Sequence, residues 1–119
     1  MPLSVTSEPL HMLSATEALR KITSDEITVR QYIESCMNHT EKCEPKVKAW
    51  VVLDRKHALA QADELDAQLR AGNASTAGGS ALASAHAGKT PGKIFGMPVG
   101  VKDVFNTKDF PTRRGCPIR

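Results

Sequence analysis

The sequence predicts an α/β fold, and this prediction rests on two observations. Three segments of this 119-residue chain repeat apolar residues every three or four positions, the spacing of amphipathic helices. Two short segments, at 49–53 and 97–105, are rich in valine, which is typical of buried strands. The expected order is helix, helix, strand, helix, loop, strand. The length allows one ordinary domain at most.

The first element is a short helix that follows a loose leader at residues 1–12, where two prolines occur. Ser14 and Glu17 have the spacing of a capping box, in which each side chain satisfies a free backbone N–H. One face of this helix carries Ala15, Ala18, Leu19 and Ile22.

A second helix is predicted from the start signal at 28–31, where Thr28 precedes Gln31 by three positions. We expect Pro45 to mark the end of this helix. Its apolar face consists of Val29, Ile33, Cys36 and Met37.

A strand is then expected at 49–53, followed by a third helix. Asp54 is placed to cap that helix, which we expect to run to about Arg70 and to stop at Gly72. Its apolar stripe consists of Ala58, Ala62, Leu65 and Leu69.

Residues 72–92 form an expected flexible loop, because 16 of these 21 residues are Gly, Ala, Ser or Thr. A nucleophilic serine needs rigid support and an activating base. The serines of this loop are therefore not candidates; they are Ser75, Ser80 and Ser84.

The segment at 97–105 is the strongest strand prediction, and turn residues follow it up to Arg119. Two strands do not make a stable sheet on their own. We therefore expect the chain to be a piece of something longer, or to pair with another chain.

Composition narrows the function classes. No run of 18 apolar residues and no secretory signal occur, so a membrane span or secretion is not expected. An odd count of three cysteines then favours free thiols in the cytoplasm. The net charge of +3 is small, and the basic end with Arg113, Arg114 and Arg119 lacks interleaved aromatics. Nucleic-acid binding is therefore an unfavoured alternative.

No metal or other cofactor is expected. Cys36, His39 and Cys43 have a helical spacing that brings them broadly to one side, but a structural zinc needs four ligands and the sequence offers no second pair. The remaining histidines have no recognisable partner and are interpreted as surface residues; they are His11, His57 and His86.

Lys102 is the one candidate catalytic residue. It interrupts the apolar segment at 97–105, and a charged lysine is costly to bury there. Burial favours the neutral amine, which can act as a base. The alternative is a solvent-facing lysine at the edge of a sheet.

The residues around Lys102 also carry a family resemblance. Residues 95–103 read FGMPVGVKD, which is similar to the G-[IMV]-P-[VI]-x-[VI]-K-D segment of the amidase signature family. The similarity continues through Thr107, the Pro-Thr pair at 111–112 and the Gly-Cys-Pro at 115–117. It covers residues 13–119 and implies the opening helices and first strands of a mixed sheet flanked by helices, incomplete on its own.

The resemblance implies a chemistry for Lys102. In the family, a neutral lysine takes a proton through a bridging cis-serine and activates a second serine, which attacks an amide carbonyl. Those serines follow the lysine at a distance, so we expect this chain to hydrolyse no amide alone and to meet a small-molecule amide only when completed. Amidase and amidotransferase subunits remain equally open, as does a non-catalytic protein that binds a full-length amidase relative.

Overall fold

The computed structural model describes residues 8–73 and 92–116, and the regular elements in this part are helical. A 3-10 turn at Leu10–Met12 precedes three α-helices: α1 (Ala15–Thr23), α2 (Val29–Val47) and α3 (Arg55–Asn73). Helices α2 and α3 pack against each other, and the 3-10 turn packs against α2.

The predicted helix starts are confirmed. Ser14 Oγ accepts a hydrogen bond from the Glu17 N–H at 3.2 Å, although the Glu17 carboxylate pairs with Arg20 and leaves half of the capping box unmade. Thr28 and Gln31 form the complete box, with bonds of 3.0 and 2.9 Å. Side-chain acceptors therefore satisfy backbone donors that have no partner inside a helix.

Helix α3 also begins as predicted, because Asp54 Oδ1 accepts from the His57 N–H at 2.9 Å. Both predicted helix ends are wrong. Helix α2 continues through Pro45 to Val47 and ends where Lys48 adopts a left-handed conformation with φ of 50°. Pro45 lies in the last turn, so little helix depends on its missing N–H. Gly72 lies inside α3, where glycine weakens a helix without breaking it.

The core lies where the three helical faces meet. The predicted faces are confirmed in part: Ala18 and Ile22 from α1 and Ala62 from α3 are buried, whereas Ala15, at the start of α1, is exposed. Helix α2 contributes most of the core, namely Val29, Tyr32, Ile33 and Met37. Leu10 and Leu13 pack against this cluster from the N-terminal side.

The predicted α/β class, with its mixed sheet, is wrong for the described residues, which contain no strand. A strand is stable only when a neighbouring strand pairs with its backbone. At 49–53 the Trp50 N–H instead bonds to the Glu44 side chain at 3.0 Å. At 97–105 the chain turns back on itself after Lys102. Both segments have the apolar composition of a strand, but no described residue pairs with their backbone as a neighbouring strand would.

Two expectations fall on residues outside the described ranges. The leader at 1–12 is described only from residue 8, and its last three residues form the 3-10 turn. Most of the loop expected at 72–92 lies outside, and residues 72 and 73 belong to α3. Within 8–73 and 92–116, none of the helices has the length and apolar character needed to cross a bilayer.

Candidate functional site

Lys102 belongs to a segment, 92–116, that starts with a turn pressed onto the helical core. The turn is closed by bonds from Phe95 N–H to Gly92 O and from Met97 N–H to Ile94 O, both 3.0 Å. At its tip Gly96 is buried with φ of 76°. A Cβ there would lie 3.0 Å from Val29 Cγ2, so only glycine fits both the backbone conformation and the space.

The next contact joins the two segments that were expected to be strands. A Cβ on Gly100 would lie 3.1 Å from Trp50 Cη2, so the indole lies directly over this glycine. The segments therefore meet through a side chain and not through a hydrogen-bonded ladder. This contact lies two residues before Lys102.

Lys102 itself opens a tight turn. Its carbonyl oxygen accepts from the Val104 N–H at 2.7 Å and from the Phe105 N–H at 3.2 Å. The side chain is exposed to solvent. The described part of the chain thus holds the Lys102 backbone in place but leaves the amine in solvent. Action as a base would require the amine to be buried, so the prediction of a buried lysine is not met by these residues alone.

Asp103 organises the loop that follows, which runs from 103 to 116. Its Oδ1 accepts from the Arg113 N–H at 2.9 Å, and its carbonyl oxygen accepts from the Arg114 N–H at 3.0 Å. Thr112 Oγ1 donates to the Phe105 carbonyl at 2.8 Å, which closes the loop a second time. Asp103 Oδ2 is buried and has no hydrogen-bond partner among the described residues.

Helix α3 holds the far side of this loop through His57. The imidazole meets the Phe110 ring edge to face, with centroids 5.1 Å apart. Its Nε2 also lies 3.7 Å from Asp109 Oδ2, so protonation of His57 would create an ion pair. The interpretation of His57 as an isolated surface residue is therefore incomplete.

Cys36, His39 and Cys43, which were considered for a metal, do not come together as one cluster. Burial raises the pKa of the Cys36 thiol, and the nearby Tyr32 hydroxyl opposes this shift only in part. The pKa of Tyr32 is raised as well, mainly by burial and to a lesser extent by the nearby Cys36. Cys43 Sγ instead contacts His39 Nε2 at 3.5 Å. Among residues 8–73 and 92–116, no three His, Cys, Asp or Glu side chains converge as a metal site would require.

Sequence reasoning missed Asp66, which is 6% exposed at the α2–α3 contact. Its two carboxylate oxygens accept from the Val29 and Arg30 backbone N–H groups. A signal was available, because Asp66 follows the buried Ala62 by one helical turn and so interrupts the apolar stripe of α3. The other residues discussed from sequence lie outside the described ranges, namely Ser75, Ser80, Ser84, His86 and Arg119.

A sequence model of the amidase family matches residues 31–119, which include α2 from its third residue, all of α3 and the Lys102 turn. This match extends over most of the chain and confirms the resemblance noted around residues 95–103. The chain belongs to the amidase family. No solved structure matches it.

Curated relatives of this amidase-family chain include subunits A of glutamyl-tRNA(Gln) amidotransferases. The Acinetobacter baumannii subunit is 30% identical over 109 residues, which cover 92% of this chain and 19% of the subunit. The Streptomyces coelicolor subunit is 32% identical over 106 residues, 89% of this chain and 18% of the subunit. The Bacillus mycoides subunit is 32% identical over 99 residues, 83% of this chain and 17% of the subunit. The chain therefore spans about a fifth of the length of these relatives.

Proposed function

We propose that this chain supplies the N-terminal part of an amidase-family hydrolase that cleaves a small-molecule amide into an acid and an amine. The observation that carries the proposal is the position of Lys102 in FGMPVGVKD, inside the stretch that the family matches. The three cysteines are free, which suits a reducing cytoplasm.

Lys102 is the proposed base. Its neutral amine accepts a proton from a bridging serine, which in turn accepts the proton of the nucleophilic serine. The nucleophile forms a bond to the amide carbonyl, the C–N bond breaks, and the amine departs with a proton. Water then releases the acid from the acyl-enzyme. Both serines come from the remainder of the domain, since the chain spans about a fifth of its relatives.

The geometry supports a divided site, by which we mean that this chain supplies the lysine and another part of the protein supplies the two serines. The Lys102 amine is exposed, while its carbonyl oxygen is fixed by the turn and its neighbour Asp103 is fixed by the Arg113 N–H. A fixed backbone with an accessible side chain suits a group that a second structural part must cover. Covering would supply the desolvation that favours a neutral amine.

A chimera tests this assignment. Residues 8–119 replace the matching fifth of the Acinetobacter baumannii subunit, and ammonia release is measured with glutamine and other primary amides. We expect Lys102→Ala to lower kcat about 10²–10⁴-fold, as for loss of a general base. Lys108→Ala is the matched control, because Lys108 is an exposed lysine of the same segment, and it should leave kcat within about twofold.

Retention of full activity by Lys102→Ala in an active chimera would reject Lys102 as the base. The chain alone should not react with a serine-directed fluorophosphonate, because its described serines serve as caps and helix contacts. Stoichiometric labelling of the chain alone would contradict the divided site.

A second candidate is a non-catalytic protein that binds a full-length amidase relative. It is favoured by the exposed apolar residues around Lys102. Val99 is 71% exposed, Val101 54% and Phe105 62%, whereas isolated soluble chains rarely gather such residues in one segment. A partner that covers them would remove this apolar surface from water.

Titration calorimetry with the Acinetobacter baumannii subunit distinguishes this candidate. Binding at micromolar concentration that Val101→Asp abolishes would support it. Met12→Asp is the control, because Met12 is 60% exposed but lies on the 3-10 turn. Absence of binding, or equal loss in both variants, would reject it.

A further inference from the structure

Two stacked histidines connect the 3-10 turn to α2. The rings of His11 and His39 lie 4.2 Å apart between centroids, with an interplanar angle of 12°. The His11 backbone N–H also donates to Ser35 Oγ at 3.2 Å, and His11 Nδ1 lies 3.3 Å from the same oxygen. The stack therefore forms part of the contact that holds residues 10–13 against the core.

The stack tolerates one positive charge but not two. A neutral imidazole packs well against another ring or against a cation. Two imidazolium ions at 4.2 Å repel each other, and histidine acquires its charge in the mildly acidic range. Protonation of both His11 and His39 thus opposes the contact that both rings make.

The charged groups around the stack do not neutralise a second proton. From α2, Lys42 lines the same cleft and adds positive charge. Glu34 also lines it and shares Arg55 with Glu41, at 3.5 and 2.9 Å, so one negative charge remains there and Lys42 offsets it. Glu26 comes from the α1–α2 connection and is paired with Arg20 at 2.8 Å and Lys21 at 3.4 Å.

Cys43 is a further titratable neighbour, whose Sγ contacts His39 Nε2 at 3.5 Å and carries no positive charge in either state. Glu8, at the start of the described chain, is exposed to solvent, where its charge is screened; His39 is exposed as well, so the repulsion between the two rings is that of charges close to water.

We propose that His11 and His39 form a pH-sensitive latch. With at least one ring neutral, the 3-10 turn stays on α2. With both rings protonated, the turn leaves α2 and exposes Leu10 and Leu13, which otherwise pack against the core. The latch is independent of Lys102 and of the proposed hydrolysis.

Amide hydrogen exchange of the full chain tests the latch, with the His11 N–H as the probe. Between about pH 7.5 and about pH 5.5, we expect its protection factor, corrected for intrinsic exchange, to fall by about two- to fivefold. His39→Phe keeps an aromatic ring but removes the second charge, so its protection should not change with pH. His57→Phe is the matched control, because it removes a different histidine stack and should respond like the wild type.

A constant protection factor in the wild type would overturn the latch, as would an equal fall in His39→Phe. If His39→Phe loses its helical circular dichroism, high salt in the wild type decides instead. Screening of two repelling charges should then diminish the fall, and an undiminished fall would overturn the proposal.

Discussion

Asp66 of α3 accepts a hydrogen bond from the backbone N–H of Val29, the first residue of α2, at 2.7 Å. Its second oxygen accepts from the Arg30 N–H at 3.0 Å. The carboxylate therefore serves as a cap supplied from 37 positions away, and it faces the positive end of the α2 dipole. One side chain thus satisfies two donors of α2 and fixes how α3 lies against it.

Asp66→Asn should destabilise the fold by about 1–3 kcal/mol, because the amide places a donor opposite one backbone N–H at a buried site. The free energy of unfolding in urea, followed by helical circular dichroism, measures this. Asp63→Asn is the control: Asp63 pairs with Arg30 at 2.6 Å but is about half exposed, so the loss should be about 0–1 kcal/mol. If both variants lost the same free energy of unfolding, the hydrogen bonds of Asp66 would contribute no more than an exposed ion pair.

Gly96→Ala should destabilise the chain more than Gly115→Ala. Both glycines have positive φ, 76° and 71°, which strains alanine by about 1–2 kcal/mol. Only at Gly96 would the methyl group also press on Val29 and Ile22, at 3.0 and 3.3 Å, for about 1–3 kcal/mol more. Gly115 has open space, so the difference between the two unfolding energies isolates the crowding. Equal destabilisation would show that the turn at 92–97 does not rest on the core.

Thiol alkylation should distinguish Cys116 from Cys36. Cys116 is exposed, whereas burial raises the pKa of Cys36 and lowers its thiolate fraction at neutral pH. At about pH 8, we expect Cys36 to react at least about tenfold more slowly. Mass spectrometry of digested samples gives the rates, and labelling in denaturing urea provides the reference at which the sites should converge.

Stability should fall at alkaline pH. The pKa of Cys36 and that of Tyr32 are raised above the ordinary 9.0 and 10.0, so the unfolded chain loses these protons first. Their contribution is complete below about pH 9 and is lost as the pH rises through the folded-state values. Urea unfolding between about pH 8 and about pH 11 measures the loss. Tyr32→Phe should flatten the upper part of the curve; an unchanged slope would exclude Tyr32 as a cause.

The helices were predictable because their signals are local. Thr28 and Gln31 lie three positions apart and satisfy each other within one turn, so the pattern contains the whole interaction. The stripe around Ala62 likewise follows from helical spacing. Membership of the amidase family was predictable chiefly from residues 95–103, with support from the turn residues that follow them.

Apart from the two helix ends, where Pro45 and Gly72 lie inside the helices, the errors concern interactions between distant residues. Valine-rich stretches such as 49–53 specify an extended chain, but a strand also needs a partner, which no local pattern supplies. The role of Asp66 depends on a helix 37 positions away, and His11 meets its partner His39 only after the 3-10 turn folds onto α2. Exposure of Lys102 depends on what surrounds it in space, which its own segment does not encode.

The contact between Trp50 and Gly100 gives the chain a natural fluorophore beside its candidate base. Trp50 is the single tryptophan, and it lies against a residue two positions before Lys102. Its emission maximum and its quenching by acrylamide therefore respond to how the 98–102 segment is seated. Any partner that covers Lys102 should shift this emission towards the blue as the indole leaves water, so association becomes visible without an attached dye.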